Sequence, residues 1–268
     1  MKLRFRIFCA SVLTVGVLLA GCGGGGLFSS DATRPEVRSD ELQFQTPADG
    51  TPTAILTTSK GVIKMVLYEE YAPQAVQNFI GLVNQGYYNG LSFHRIVTDF
   101  IVQTGDASGT GTGGATIWNN TPYPVEISDQ LHHYSGAVSM AHAGDSDENM
   151  SQFFIVATPS DSVDKDFADK LTELGVRSEV VQAYRDGGGA PYLDNLNTVF
   201  GQIYSGMDVV DAICSVPVSD DGTPSEDVIL ESVTIGSYSA AEESAAAQDG
   251  EVSDSGAASD ASVSSAAG

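Results

Sequence analysis

Short apolar segments, separated by glycine-rich or acidic breaks, limit the folds open to this chain more than any other feature. Thr53–Thr58 and Val62–Tyr68 are rich in β-branched and apolar residues, and Ser59-Lys60-Gly61 between them predicts a hairpin. Six more strands are predicted at Phe93–Val97, Phe100–Gln103, Ala137–Ala141, Phe153–Ala157, Val199–Ile203 and Val228–Ile235. So many short strands favour a closed β-barrel in an all-β-dominated fold over an α/β sheet.

Two helices interrupt this pattern. Pro73 suits a first helical turn and Gly86 suits the position after a helix end, and apolar residues recur between them at helical spacing. A second short helix is predicted at Met207–Ile213. An insertion at residues 161–189 is predicted to form two further short helices, which either overhang the neighbouring Tyr192 and Leu193 or lie remote from them.

The N-terminus has the pattern of an export signal. Lys2, Arg4 and Arg6 precede the apolar run Ile7–Ala20, which is short for a membrane span, so residues 1–21 are predicted to be a signal peptide. Leu19-Ala20-Gly21-Cys22 resembles a bacterial lipobox. That resemblance implies a lipid on Cys22 and an extracytoplasmic, membrane-anchored protein at the cell surface or in the periplasm. An ordinary secretory signal that contains a cysteine is the alternative.

Composition sets the limits of the folded region. Residues 22–52 are rich in Gly, Ser, Pro and charge and are predicted to be a flexible tether. Residues 237–268 are almost entirely Ser, Ala, Gly, Asp and Glu and are predicted to be a disordered acidic tail. The folded domain is therefore expected at residues 53–236.

Charge and cysteine content exclude two classes of protein. The chain has 12 Lys and Arg against 35 Asp and Glu, for a net charge of -23, and such a surface repels nucleic acid. The three cysteines are Cys9, Cys22 and Cys214. Since Cys9 lies in the signal and Cys22 in the lipobox, no disulfide is expected in the mature domain, and Cys214 is predicted to be a small buried apolar residue.

Three blocks of the sequence resemble the cyclophilin family of peptidyl-prolyl cis/trans isomerases. They read FHRIVTDFIVQTGD from Phe93, VSMAHAGDSDENMSQFF from Val138 and YLDNLNTVFGQI from Tyr192. The resemblance implies a closed eight-stranded antiparallel β-barrel capped by two α-helices, acting as a monomer without cofactor or metal. It also implies Xaa-Pro segments of exported or unfolded proteins as substrates, and cyclosporin-like compounds as possible ligands.

The resemblance also assigns the site. Arg95 is implied to be the catalytic cation, with Phe100 and Gln103 beside it. Substrate-binding roles are implied for Ile101, Ala141, His142, Ala143, Gln152, Phe154, Tyr192, Leu193 and Asn197. The chain departs from the family where His142 replaces the usual Asn, Asn197 replaces His or Tyr, and Tyr192 replaces Trp or Phe. The last two changes put affinity at the rim in doubt.

Two other patterns in the sequence predict no further site, and two alternative functions remain. Gly109–Gly114 satisfies G-x-G-x-x-G, but prolines follow it instead of a helix, so no phosphate site is predicted. The spacing of His132, His133 and His142 near Asp145 and Asp147 matches no zinc site. Two functional alternatives stay open: a non-catalytic module or holdase that binds proline segments at the cell surface, and a lipoprotein whose acidic tail binds cationic partners.

The lipobox yields a first prediction. Acyl chains supply membrane anchoring that an acidic surface cannot, so Cys22→Ser should remain soluble or unprocessed and should take up no metabolic lipid label. The measurement is label incorporation into this variant and into the parent protein. Equal labelling of the two would refute lipidation at Cys22.

Overall fold

The computed structural model describes residues 37–142 and 146–245. The predicted signal at 1–21, the lipidation site Cys22, the binding residue Ala143 and most of the acidic tail lie outside the described residues. None of the described helices is both long and apolar enough to cross a bilayer.

Antiparallel strands make up the main sheet. The eleven strands are β1 (Pro52–Thr58), β2 (Gly61–Leu67), β3 (Leu91–Ser92), β4 (Arg95–Val97), β5 (Ile101–Thr104), β6 (Tyr123–Pro124), β7 (Ala137–Met140), β8 (Glu148–Asn149), β9 (Phe153–Val156), β10 (Val199–Ser205) and β11 (Ile229–Ser237). Nine of them pair in the order β3-β11-β1-β2-β10-β7-β9-β5-β4, while β6 pairs only with β8. The predicted β1–β2 hairpin is confirmed, with Thr58 opposite Gly61 at its turn.

The sheet curls into an open half-barrel with β3 and β4 at its edges. The sequence predicted one strand at Phe93–Val97, but only β4 lies within that range; β3 lies just before it, so the sheet has nine strands instead of eight. Among the described residues no ladder joins β3 to β4. Between the two strands Phe93 N donates to Val228 O at 2.8 Å, and on β4 Ile96 N donates to Gly222 O at 2.8 Å.

In the described part of the chain four α-helices accompany the sheet: α1 (Pro73–Asn84), α2 (Lys165–Glu173), α3 (Ser178–Gly187) and α4 (Met207–Cys214). Helices α1 and α4 are the two predicted from the sequence, and α2 and α3 are the predicted pair of the insertion. No residue of α1 caps its own N-terminus; instead the Glu126 carboxylate accepts from Gln74 N at 3.1 Å and from Ala75 N at 2.9 Å. A carboxylate there also complements the positive end of the helix dipole.

Aromatic rings fill the inside of the sheet beneath α1. Phe79 packs against Tyr88, Phe153 and Phe200 with ring centroids 5.2, 5.7 and 5.4 Å apart. All four side chains are almost fully buried. Phe153 and Phe200 lie on β9 and β10, so this cluster joins the helix to the strands that also carry the site.

Residues just outside the predicted domain pack on it. Leu42–Phe44 forms a 3-10 turn, and the buried Gln43 side chain donates to Gln202 Oε1 at 2.8 Å. Glu41 accepts two hydrogen bonds from Arg177, at 2.8 and 2.9 Å. Residues 41–44 therefore differ from the flexible tether predicted for residues 22–52, because the side chains of Glu41 and Gln43 are hydrogen-bonded to the folded domain. At the other end, Glu243 pairs with Lys64 at 2.8 Å, so the start of the predicted disordered tail also contacts the domain.

The aromatic cluster yields a prediction of stability. Phe79→Ala should lower the free energy of unfolding by about 3–5 kcal/mol, because it removes a buried ring and leaves a cavity. Leu174→Ala is the control, since this side chain is exposed and its loss should cost less than about 0.5 kcal/mol. Urea denaturation measures both. Equal losses would show that the rings around Phe79 are not tightly packed.

Candidate active site

One row of paired residues crosses the sheet and holds the centre of the site. Arg95 on β4 pairs with Gln103 on β5, Gln103 pairs with Phe154 on β9, and Phe154 pairs with Ser139 on β7. Directly paired residues on antiparallel strands project to the same face of a sheet. Backbone pairing therefore places the predicted Arg95, Gln103 and Phe154 side by side on one face.

A chain of amide hydrogen bonds runs from Arg95 along this face. The Arg95 Nη1 donates to Gln103 Oε1 at 3.4 Å, and Gln103 Nε2 donates to Gln152 Oε1 at 2.9 Å. Gln152 Nε2 then donates to the carbonyl oxygens of Gly113 at 2.6 Å and Gly111 at 3.1 Å. All the donors point in one direction, so each bond polarises the next. The orientation of the Arg95 guanidinium thus depends, through Gln103 and Gln152, on the loop that contains Gly111 and Gly113.

That loop is the glycine-rich segment Gly109–Gly114, and a buried carboxylate organises it. Asp106 Oδ2 accepts from Gly111 N at 2.7 Å and from Gly113 N at 3.1 Å, and Asp106 Oδ1 accepts from Ser108 N at 2.8 Å. Burial alone would raise the pKa of Asp106, but hydrogen bonds from Ser108, Gly113 and Gly111 lower it to about 2. The loop amides therefore bind a carboxylate of the chain itself, and no helix follows the loop.

Apolar side chains form a pocket beside this polar chain. Phe154 and Ile101 are each 4% exposed and belong to one cluster with the partly buried Phe100, Ala141 and Leu193. Ile101 and Phe154 lie on β5 and β9, Phe100 directly precedes β5, Ala141 directly follows β7, and Leu193 ends the 3-10 turn Pro191–Leu193. All five were predicted to bind substrate or act at the site. A cavity of about 220 Å³ adjoins the pocket, with Gln103, Ala141, His142, Met150 and Gln152 in its lining.

The remaining predicted residues lie at the rim. Tyr192 is 49% exposed, and its ring packs against Phe100 with ring centroids 5.8 Å apart. Asn197 donates its Nδ2 to Met140 O at 3.1 Å, which ties the rim to the end of β7. His142 lines the cavity, whereas Ala143 lies outside the described residues.

A second cavity, of about 330 Å³, lies on the other side of Arg95. His94, Asp221 and Asp227 are among the residues that line it. Burial lowers the pKa of His94, so this imidazole is neutral at pH 7. His94 lies in the short connection between β3 and β4, the two edge strands of the sheet.

Sequence reasoning missed a buried polar cluster behind the pocket. The Asp194 carboxylate accepts from His133 Nδ1 at 2.9 Å, from His132 Nδ1 at 2.8 Å and from the Tyr184 hydroxyl at 2.8 Å. His133 and His132 had been considered only as metal ligands. Within residues 37–142 and 146–245, no group of three or more His, Cys, Asp or Glu side chains is placed to hold a metal ion. A better signal was Asp194 itself, an acidic residue inside the YLDNLN block.

The insertion at residues 161–189 contacts the site through Tyr184. Tyr184 on α3 is fully buried and bonds Asp194, which directly follows the 3-10 turn Pro191–Leu193. Its ring also packs on Tyr134 with centroids 4.6 Å apart. The insertion is therefore bonded to the turn that carries Tyr192 and Leu193.

Comparison with known proteins gives a consistent result. Residues 53–235 match the family described as cyclophilin type peptidyl-prolyl cis-trans isomerase/CLD. A protein of Staphylococcus saprophyticus, named as a candidate peptidyl-prolyl cis-trans isomerase, is 39% identical over 181 residues, which cover 68% of this chain and 90% of that protein. A protein of Streptococcus pyogenes serotype M6, named as a candidate bifunctional phosphatase/peptidyl-prolyl cis-trans isomerase, is 39% identical over 186 residues. That match covers 69% of this chain but only 38% of the longer streptococcal protein.

A solved structure shares the fold. The crystal structure of a Cryptosporidium parvum cyclophilin type peptidyl-prolyl cis-trans isomerase, determined in the presence of the dipeptide Ala-Pro, superposes with a TM-score of 0.55 at 26% identity. The match covers 69% of this chain and 99% of the other.

The amide chain yields a prediction about order in the site. Gln152→Ala removes the side chain that joins Gln103 to the glycine-rich loop, so the amides of Gly111 and Gly113 should exchange with solvent faster by about tenfold. Gln182→Ala is the matched control, because Gln182 is an exposed glutamine on α3. Hydrogen exchange followed by NMR measures both. Unchanged exchange in Gln152→Ala would mean that the loop is held without this bridge.

Proposed function

The chain belongs to the cyclophilin-type peptidyl-prolyl cis-trans isomerase family, and from this premise we propose that it isomerises Xaa-Pro bonds in exported proteins, with Arg95 as the catalytic cation. The observation that carries the proposal is the row Arg95–Gln103–Phe154, which sets a guanidinium on the same face of the sheet as an apolar cluster. The Ala-Pro dipeptide used with the Cryptosporidium relative supports Xaa-Pro segments as ligands. Cyclosporin-like compounds are proposed as ligands of the same pocket.

The reaction needs no nucleophile. Rotation about an Xaa-Pro bond is opposed by about 18–20 kcal/mol, since amide resonance must be broken, and unaided isomerisation takes tens to hundreds of seconds. In the twisted amide the proline nitrogen regains a lone pair that can accept a hydrogen bond. A rate enhancement of roughly 10⁵ requires about 7 kcal/mol of stabilisation that is selective for this state.

The described residues have the chemistry to supply such stabilisation. The guanidinium of Arg95 is permanently charged and offers several donors in one plane, so it can bond the twisted nitrogen while Gln103 holds its Nη1. Phe154, Ile101 and Leu193 provide apolar surface for the proline ring. Fixed donors in a partly desolvated site act without reorganisation during the reaction. Only the twisted state presents the nitrogen lone pair, so Arg95 favours that state over the planar ones.

The finer expectations about architecture and location belong to this proposal. A fully closed barrel is supported by residues 91–97, which pair with β11 through β3 and with β5 through β4, so that one short segment of chain joins both edges of the sheet. Export and anchoring through a lipid on Cys22 are supported by the basic, apolar and small-residue pattern of residues 1–22. The clients would then be exported proteins outside the membrane.

The test of the proposal is the loss of turnover in a folded variant. Arg95→Ala should reduce isomerisation by about 10²-fold, as expected when one donor to a transition state is removed. Arg95→Lys should also be impaired, because an ammonium cannot reproduce the planar donor array. NMR magnetisation exchange on an Xaa-Pro peptide measures the rate for each variant at matched circular dichroism.

Arg185→Ala is the control for the loss of a cation, since Arg185 is exposed on α3 and should leave the exchange rate unchanged. Undiminished exchange in folded Arg95→Ala would remove Arg95 from the mechanism. If the parent protein binds the peptide but gives no exchange, the non-catalytic binding module replaces the isomerase.

A further inference from the structure

We propose that Asp194 and His133 are positioning residues of the isomerase site, whose buried hydrogen bonds fix the pocket wall formed by Phe154 and Leu193. The inference rests on the proposed function, because it assigns to these residues the task of holding the pocket for proline. Neither residue lines the pocket, and both act through neighbours.

His133 supports Phe154 directly. The two rings stack with an interplanar angle of 17° and centroids 6.2 Å apart. The His133 side chain is 1% exposed, and its Nε2 lies 3.0 Å from Ser139 Oγ. Since Ser139 pairs with Phe154 across β7 and β9, the imidazole is bonded to one member of the site row and stacked on the next.

Asp194 supports the other side of the pocket. It directly follows Leu193 in the chain, and its carboxylate accepts from both the backbone N and the Nδ1 of His133, each at 2.9 Å. The bond between Leu193 N and Ala190 O, at 2.9 Å, closes the turn before it. Asp194 and His133 therefore link Leu193 to Phe154, two pocket residues that come from different parts of the chain.

A chain of hydrogen bonds continues from His133 towards β10. His133 Nε2 lies 3.0 Å from Ser139 Oγ, and Ser139 Oγ lies 3.0 Å from Thr198 O. Thr198 directly precedes β10, so the Asp194–His133 pair is linked through Ser139 to the backbone of a neighbouring strand.

The other groups around Asp194 are also donors. His132 donates from Nδ1 to Asp194 Oδ2. Tyr184 donates its hydroxyl, and Tyr134 contacts the rings of both His132 and Tyr184. Burial alone would raise the pKa of Asp194, but hydrogen bonds from His132 and His133 lower it to about 2. Asp194 is thus an anion at neutral pH, surrounded by donors.

A buried, hydrogen-bonded pair of this kind specifies one arrangement. Removing one partner leaves the polar groups of the other buried without a hydrogen bond. The pair therefore tolerates only the geometry in which His133 meets both Asp194 and Ser139. That geometry is the one in which Phe154 and Leu193 face the same pocket.

The experiment separates positioning from catalysis in the full chain. Asp194→Asn keeps the shape of the side chain but removes its charge, so affinity for an Xaa-Pro peptide should fall by about tenfold while exchange at saturation changes less than about threefold. Arg95 variants should instead lower the exchange rate at saturation more than they lower the affinity for the peptide. Asp186→Asn is the matched control, since Asp186 is an exposed carboxylate on α3 and its loss should leave both quantities unchanged.

Two further measurements keep the proposal open to refutation. If Asp194→Asn does not fold, Ser139→Ala breaks the same chain one bond nearer the pocket and should also weaken affinity. In the unsubstituted chain, the ring hydrogen on His133 Nδ1 should be protected from exchange with solvent, because it is buried and bonded to Asp194, and NMR should detect it. Unchanged affinity in a folded variant, or an unprotected His133 ring hydrogen, overturns the proposal. If instead the parent chain does not isomerise the peptide, the proposed isomerase function fails, while affinity and the protection of His133 still test the positioning role.

Discussion

The pairing of β5 between β4 and β9 is the constraint on which the site depends. It aligns Arg95, Gln103 and Phe154 in one row, and the pairing of β9 with β7 extends that row to Ser139. A slip of one residue at β5 would turn Gln103 to the inside of the sheet and bring Val102 to the site face. The inner residues Val102 and Thr104 are fully buried, so such a slip would also place polar groups in the core.

The two faces of the sheet perform different tasks. Inside, Phe79, Phe153 and Phe200 pack as edge-to-face and tilted rings, and this apolar contact holds β9 and β10 in place. Outside, β9 presents Phe154 to the pocket, and its neighbour β7 presents Ser139 to the polar cluster behind it. The inner core is therefore what makes the outer row rigid, and a rigid outer row is what a site of fixed donors requires.

Much of this arrangement could be predicted from the sequence, and the reasons differ between its parts. Strand alternation and helix spacing depend on local patterns, so β1, β2, α1 and α4 were found with small errors at their ends. The three blocks of family resemblance supplied the residues of the pocket. The short strand β3 was not predicted, because its two residues are defined by their pairing with β11 and not by a local pattern.

Contacts between distant segments were also beyond local reasoning. Nothing in the composition of residues 41–44 signals that Gln43 bonds Gln202 or that Glu41 bonds Arg177, since those partners lie far along the chain. Asp194, His133 and Ser139 were missed for the same reason. Each residue type is ordinary by itself, and only the fold shows that the three meet.

The ends of the site row are held by different kinds of interaction, and the difference fits the proposed chemistry. At one end Arg95 is reached through neutral amides, with a long first bond of 3.4 Å, so the guanidinium keeps donors available for a substrate. At the other end Phe154 stacks on His133, which is buried and hydrogen-bonded to Asp194 and Ser139. A proline ring needs a wall of fixed shape, whereas a twisted amide needs a donor that is still unsatisfied before the reaction. Because Arg95 and Phe154 belong to one row of paired strands, the fixed wall and the available donor stay in register with each other while the peptide bond between them rotates.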